Sequence, residues 1–165
     1  MEENTRKEPV PKGVGSPFFM CTQQALRYLS LREHNRSELR TKLLSKDYDA
    51  SLVDAVLDGL EDDGSLSERR YVESFVRSSN RRHAEGRSML MARLAAKGAD
   101  RQVCLEVLDE MYSNDEYVET LLKQAYAKVV SKGKASTPAE VRQALMKLGF
   151  PSNLIRRCME EFRDS

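Results

Sequence analysis

An internal repeat of 51 residues constrains the fold of this chain more than any other feature of its sequence. Apolar residues recur at that interval in six triplets: Leu39, Leu90 and Val141; Leu43, Leu94 and Leu145; Tyr48, Ala99 and Phe150; Leu52, Val103 and Leu154; Val56, Val107 and Cys158; Leu60, Met111 and Phe162. Within each copy the apolar residues are spaced by three and four, which indicates amphipathic helices, and no stretch alternates as a strand would. The repeat predicts tandem helical units that bury their apolar faces on their neighbours.

Residues typical of helix boundaries repeat at the same interval. Three residues that favour the N-cap of a helix are spaced by 51: Asn35, Gly86 and Thr137. The predicted helix ends have the same spacing: Lys46-Asp47, Lys97-Gly98 and Leu148-Gly149. Asp49 and Asp100 are predicted to cap the helices that follow, whereas Pro151 interrupts the match and predicts that the last helix begins differently.

A second interval, of 46 residues, precedes each of these helix pairs. It links Leu26, Val72 and Val118, and also Leu29, Phe75 and Leu121, and it predicts Ser67 and Ser113 as N-caps. The fold class is therefore all-α, with three tandem three-helix repeats over residues 18–62, 67–112 and 113–163 that form an elongated, curved array. The alternative is one compact nine-helix domain in which the similarity is accidental. Residues 1–17, rich in Pro and Gly among charges, are predicted to be a disordered N-terminal tail.

The composition indicates a cytoplasmic protein with no enzymatic activity. No apolar run approaches a membrane span, and the three cysteines include no CxxC motif, which fits a reducing compartment. Cys104 and Cys158 fall on apolar repeat positions and are predicted to be core thiols, while Cys21 is predicted to be inert. His34 and His83 are predicted to lie at the surface. No motif indicates a catalytic site, a metal site or a cofactor.

Charge is segregated along the chain although the totals nearly balance, with 27 basic and 26 acidic residues. Residues 47–63 hold seven acids and no base, and residues 102–122 hold six acids and no base. The basic stretches are residues 27–46, 66–101 and 123–163, so the first two helices of a unit tend to be basic and the third helix is acidic in the first two units. Parallel stacking of the units would give a basic face and an acidic face; the alternative is that the blocks only neutralise one another.

The densest basic set lies in the second unit and is the predicted binding site for a partner or for DNA. Arg70, Arg77 and Arg81 share one helix face, opposite the apolar residues. Four further basic residues follow them: Arg82, Arg87, Arg93 and Lys97. Arginine binds phosphates and carboxylates well. Because no exposed aromatic series interleaves these residues, stacking of nucleic-acid bases is not indicated.

Three stretches resemble the RecX family, and the similarity extends from about residue 20 to residue 163. The first unit has the helix end and Glu-Leu of Leu29–Leu39, with Asn35 where the family usually has Ser or Thr. The second unit is similar at Tyr71-Val72, Phe75-Val76, Gly86, Leu90, Leu94 and Lys97-Gly98-Ala99, and the third ends in Leu148-Gly149-Phe150. Leu66-Ser67-Glu68 departs from the Leu-Asp-Asp that family members often carry, which puts an acidic contact in doubt rather than the fold.

The resemblance implies a function that the repeat alone does not. It implies binding in the groove of a RecA filament on single-stranded DNA, contact with that DNA as well, and restraint of the ATPase, recombination and coprotease activities of RecA. A monomer is expected, because stacked repeats satisfy their apolar faces within one chain. The residues by themselves leave two alternatives: a helical-repeat adaptor for an acidic protein, and a stand-alone DNA-binding protein with a basic groove.

Overall fold

The computed structural model describes residues 15–131 and 137–162, and over these residues it is entirely helical, with nine α-helices and no strand. In chain order the helices are α1 Pro17–Leu31, α2 Arg36–Leu44, α3 Ala50–Asp62, α4 Glu68–His83, α5 Arg87–Ala96, α6 Arg101–Tyr112, α7 Asp115–Ser131, α8 Pro138–Lys147 and α9 Ser152–Glu161. The all-α prediction is confirmed. Within the described ranges, no helix is both long enough and apolar enough to span a bilayer.

The chain divides after Ser67 into two compact units. The first contains α1–α3, which pack around one apolar core that includes Cys21, Leu39 and Val56. The second contains α4–α9 and has two core clusters, one centred on α4–α6 and the other on α7–α9. Most residues of each cluster come from three consecutive helices, while the bounds of the three repeats stay a prediction.

The 51-residue interval corresponds to equivalent helix positions. Leu39, Leu90 and Val141 are each the fourth residue of the second helix in their triplet, and all three are buried. Cys158 occupies the same place in α9 that Val56 and Val107 occupy in α3 and α6, and these three are also buried. Phe162 is an exception among the triplets. It is 42% exposed and stacks on Tyr126, with ring centres 4.4 Å apart.

Helix boundaries also follow the predicted pattern. The side chain of Asn35 accepts a hydrogen bond from the backbone N–H of Glu38, Thr137 forms a capping box with Glu140, and Gly86 is the N-cap of α5. Asp49 and Asp100 cap α3 and α6. After the second helix of each triplet the chain turns through a positive φ at residues spaced by 51: Asp47, Gly98 and Gly149.

Two boundary and register predictions are wrong. Ser113 does not cap α7, because α6 extends to Tyr112; the side chain of Asn114 accepts the capping bond instead, from the N–H of Tyr117 at 2.9 Å. Leu26 is not a core residue. It is 36% exposed, whereas the adjacent Ala25 is fully buried, because a shift of one residue turns a side chain by about 100° around the helix.

The predicted tail lies largely outside the described residues, which begin at Gly15. Ser16 caps α1 by accepting a hydrogen bond from the N–H of Phe19, and Pro17 is the first helical residue. The last helix begins at Ser152, 51 residues after the start of α6 at Arg101, so its start is not displaced; the interruption at Pro151 removes only the side-chain capping bond.

Within the second unit, the turn between α4 and α5 packs directly against the turn between α8 and α9. The N–H of Gly86 donates to the carbonyl oxygen of Leu148 at 2.7 Å, and the Ser88 hydroxyl donates to the carbonyl oxygen of Gly149 at 3.0 Å. A Cβ atom on Gly86 would lie 2.7 Å from the backbone nitrogen of Phe150 and closer still to Gly149. The two backbones can approach this closely only because both turns have glycine at the contact.

Candidate partner-binding surface

The first helix of the second unit, α4, carries three exposed arginines on one side. Arg70, Arg77 and Arg81 are spaced by seven and four residues, which places them within about 40° of one another around the helix. Arg77 pairs with Glu73 one turn earlier, at 3.5 Å. All three arginines are exposed as predicted, while their role in binding stays a prediction. We call these three residues the α4 arginine face.

Two other members of the predicted site are held by acids within the second unit. The Nε–H of Arg87 donates to Asp109 Oδ1 at 2.8 Å and links the start of α5 to α6. Arg93 is half-buried and pairs with Glu85, and its guanidinium carbon lies 5.0 Å from the ring centre of Phe75. Arg87 and Arg93 are partly buried and paired with acids, so they are less accessible than the exposed α4 arginine face.

The remaining two members of the predicted site lie at the surface. Arg82 is exposed in the last turn of α4, where its Nε–H donates to the carbonyl oxygen of Ser78 at 3.2 Å. Lys97 is exposed at the C-cap of α5, with its ammonium 5.9 Å from the ring centre of Phe75. Five of the seven predicted residues are thus exposed: Arg70, Arg77, Arg81, Arg82 and Lys97.

The acidic third helices use part of their charge to neutralise the basic helices beside them. In the first unit Arg36 of α2 pairs with Asp58 of α3 at 2.7 Å. The equivalent pair recurs 51 residues later, between Arg87 of α5 and Asp109 of α6. The mutual-neutralisation alternative therefore accounts for these positions. Exposed ion pairs contribute little to stability, so their main effect here is on which positive charges remain available.

The third triplet of helices departs from this pairing. Arg40 of α2 forms a two-bond ion pair with Asp54 of α3, at 2.7 and 3.2 Å. At the equivalent positions, 102 residues later, the chain has Arg142 in α8 and Arg156 in α9, both exposed. Neither has an ion-pair partner in the part of the chain that the structure describes. We call these two residues the α8–α9 arginine pair. The sequence analysis missed this pair because it considered the total charge of long stretches rather than the charge at equivalent repeat positions.

A buried hydrogen-bond network fixes the loop between α4 and α5. The Asn80 amide nitrogen donates to the hydroxyl oxygens of Tyr112 and Tyr117, at 2.8 and 3.0 Å, and its carbonyl oxygen accepts from the N–H of Glu85. The Tyr112 hydroxyl donates to the Glu85 carbonyl oxygen at 2.6 Å. The network holds Ala84 at a φ of 50°, which non-glycine residues rarely adopt. Sequence analysis missed these partners because residues this far apart show no periodic pattern.

The prediction that His34 is a surface residue is wrong. His34 is 1% exposed; its ring lies 6.1 Å from that of Tyr28. Since a carbonyl oxygen can only accept, Nδ1 carries the proton and donates to Arg32 O at 3.0 Å, leaving Nε2 to accept from the Lys42 ammonium at 2.9 Å. Burial lowers the pKa of His34. The polar residues beside His34 in the sequence gave no sign that its ring is buried between α1 and α2. His83 is exposed, as predicted.

The three cysteines are buried and form no disulfide. Burial raises the pKa of Cys21 and Cys104 to about 11 and raises that of Cys158 as well. The core assignment of Cys104 and Cys158 is confirmed. Over the described ranges, no three potential ligands among His, Cys, Asp and Glu are grouped so that they could hold a metal ion.

Comparison with known protein sequences identifies relatives along most of the chain. The family model described as "RecX, first three-helix domain" matches residues 21–60. A regulatory protein RecX of Leptothrix cholodnii is 32% identical over 150 residues, which cover 87% of this chain and 89% of the relative. A regulatory protein RecX of Halorhodospira halophila is 37% identical over 126 residues, 76% of this chain and 74% of the relative.

Two crystal structures share the fold. That of RecX from Lactobacillus salivarius matches with a TM-score of 0.78 at 21% identity, over 90% of this chain and 98% of the other. A second crystal structure, of regulatory protein RecX, matches with a TM-score of 0.76 at 20% identity, over 88% of this chain and 73% of the other. The structures show the fold, and the sequence relatives show the kinship. The chain belongs to the RecX family of regulatory proteins.

Proposed function

We propose that this chain binds filaments of RecA on single-stranded DNA and restrains the ATPase, recombination and coprotease activities of RecA. It acts as a regulatory protein and catalyses no reaction of its own. Membership of the RecX family supports the partner. The α4 arginine face is the observation that carries the contact, because its three cations share one exposed side of a helix, where DNA phosphates and acidic residues of RecA would meet them.

The proposal also covers the oligomeric state of the protein and its location in the cell. It works in the cytoplasm, where RecA filaments form, and as a monomer, because the apolar residues of each three-helix triplet are largely buried within the chain. Sedimentation at micromolar concentration tests the second point, and a mass of one chain is expected.

The direct test is ATP hydrolysis by RecA on single-stranded DNA, measured while the chain is titrated in. The rate is expected to fall at less than one chain per RecA subunit. Unchanged hydrolysis would contradict the proposal. If DNA alone were then bound tightly, the chain would be a stand-alone DNA-binding protein; if it were not, an adaptor for another acidic protein would remain.

Charge reversal tests the surface. Arg77→Glu combined with Arg81→Glu replaces two attractions by two repulsions. Removing one partner of a charged contact at a desolvated interface costs roughly 2–5 kcal/mol, and at the rim much less. Since about 1.4 kcal/mol corresponds to tenfold in affinity, the double variant should inhibit RecA at least tenfold more weakly, with its circular dichroism unchanged.

Two controls accompany the double variant. Arg101→Glu makes the same charge change at the exposed start of the acidic α6 and should inhibit like wild type, in contrast to Arg81→Glu alone. Raising the salt concentration should weaken the wild type more steeply than the double variant, because the wild type releases more counterions. If the double variant inhibits as well as wild type, the α4 arginine face is only solvated, and the α8–α9 arginine pair becomes the next candidate.

A further inference from the structure

The second compact unit contains a groove that is separate from the α4 arginine face. It is bordered by the end of α4, α5, α7 and α8 and has a volume of about 620 Å³, within the usual range for ligand clefts. Aliphatic side chains from α7, α8 and the turn after α8 form much of its lining: Ala125, Val129, Ala144 and Leu148. Val129 and Leu148 are only partly buried, so part of this apolar surface faces the open groove.

Positive charge borders the same groove. Arg82, Lys128 and Lys147 line it, and all three are exposed. Arg82 and Lys128 each donate to a backbone carbonyl oxygen, Lys128 to that of Arg82 itself at 3.0 Å. Such neutral partners leave the charges uncompensated. Among the described residues, none of the three cations has a carboxylate partner.

Glu85 is the one acid among the described residues that line the groove, and it is already neutralised. Glu85 is 7% exposed and pairs with Arg93, which also donates to the Ser79 hydroxyl at 3.0 Å. The groove therefore combines an apolar lining with three uncompensated cations. A ligand that complements it needs aliphatic groups and negative charges within a short distance of each other.

We infer that this groove binds an acidic peptide segment in which aliphatic side chains alternate with carboxylates. The aliphatic groups bury the lining from water, and the carboxylates meet Arg82, Lys128 and Lys147. A nucleic-acid strand fits less well, because phosphates offer nothing to the aliphatic lining and, among the described residues that line the groove, only the ring of His83 could stack on a base. The inference is independent of the proposed function, since the peptide segment can belong to any protein.

The test is fluorescence anisotropy with the full chain and a short fluorescein-labelled peptide that intersperses leucines among glutamates. Wild type should bind it saturably. A matched peptide with serine in place of every leucine should bind at least tenfold more weakly, because the carboxylates remain while the aliphatic groups are lost. Equal binding of the two peptides would overturn the inference, since charge alone would then account for it, and so would the absence of saturable binding.

Variants locate the site. Ala144→Glu adds bulk and negative charge to the lining at a helical position that tolerates Glu, and it should weaken binding at least tenfold. Ala127→Glu makes the same change on the exposed surface of α7 outside the groove and should bind within about twofold of wild type. Lys147→Glu, an exposed change at the rim, supplies a second variant should Ala144→Glu fail to fold, and it too should weaken binding tenfold.

Two further readouts separate the groove from other surfaces. In methyl NMR spectra the peptide should shift the signals of Val129 and Leu148; shifts confined to other methyl groups would overturn the assignment. A labelled oligothymidine is titrated in parallel. If it binds more tightly than the leucine peptide and Ala144→Glu abolishes that binding, the groove is a nucleic-acid site and the peptide inference is wrong.

Discussion

Adding a single methyl group at Gly86 tests how closely the second unit is packed. Gly86 has a φ of −77°, which alanine adopts freely, so Gly86→Ala introduces no backbone strain of its own. The new Cβ would lie 2.7 Å from the nitrogen of Phe150 and closer to the carbonyl of Gly149. All these neighbours are backbone atoms that cannot rotate away, so the α4–α5 turn and the α8–α9 turn must separate.

The cost follows from what that separation breaks. Overpacking against fixed neighbours costs roughly 1–3 kcal/mol. The hydrogen bond from the Gly86 N–H to Leu148 O, at 2.7 Å, lies at the same contact, and its loss adds about 0.5–1.5 kcal/mol. Alanine also lowers the conformational entropy of the unfolded chain, which stabilises the folded variant by about 0.4–1 kcal/mol. The net loss is about 0.5–4 kcal/mol, set against the roughly 5–15 kcal/mol that stabilises a typical domain.

Urea denaturation followed by circular dichroism measures this loss, with Gly59→Ala as the matched control. Gly59 lies in the last turns of α3, and apart from its chain neighbours and the backbone of its own helix no atom lies within 4 Å of a Cβ added there. Alanine is favoured over glycine by about 0.5–1 kcal/mol inside a helix, so the control should be more stable than wild type. The two glycine-to-alanine changes should therefore have opposite signs. If Gly86→Ala unfolds at the same urea concentration as wild type or higher, the reasoning from close backbone contact is refuted.

Three further predictions follow from buried groups and from the repeat. Without denaturant, a thiol reagent should label the three cysteines slowly, because all are buried with raised pKa values; rapid labelling would contradict this. The pKa of His34 is lowered on folding, so the unfolded chain binds more protons, and the stability of the first unit should fall as pH decreases below about 6.5. Burial, and with it repulsion from the Lys42 ammonium, disfavours the protonated His34, and His34→Gln should flatten the dependence in urea titrations between neutral and mildly acidic pH. Arg156→Asp should recreate with Arg142 the ion pair that the first unit has, and raise the melting temperature by roughly 1–3 °C; a fall would show that the positions are not equivalent.

The helices and their boundaries could be predicted because they depend on local chemistry. In the turn after the second helix of each triplet, one residue has a positive φ: Asp47, Gly98 or Gly149. These boundary residues recur with the same spacing as the apolar core, so one interval predicts both the helix and its end. The capping prediction failed at Ser113, where the extension of α6 to Tyr112 transferred the role to Asn114.

The candidate site was predicted less completely, because exposure depends on partners far apart in sequence. Helical periodicity correctly placed Arg77 and Arg81 on an exposed face. It could not show that Arg87 is compensated by Asp109, 22 residues later, or that Arg93 turns inward to Glu85. A count of charges along the chain treats all of these arginines alike, whereas the structure separates them by what each one contacts.

The repeat makes one surface position informative through comparison of the chain with itself. Where the first triplet of helices has the ion pair of Arg40 and Asp54, the second has the half-buried Met91 and Leu105, and the third has the α8–α9 arginine pair. The helix positions are equivalent, so only the side chains change. An ion pair is neutral overall and an apolar pair carries no charge. Two arginines at the equivalent positions, by contrast, repel each other unless an anion lies between them. Of the three equivalent pairs, the α8–α9 arginine pair is therefore the one whose charge an external carboxylate or phosphate would stabilise most.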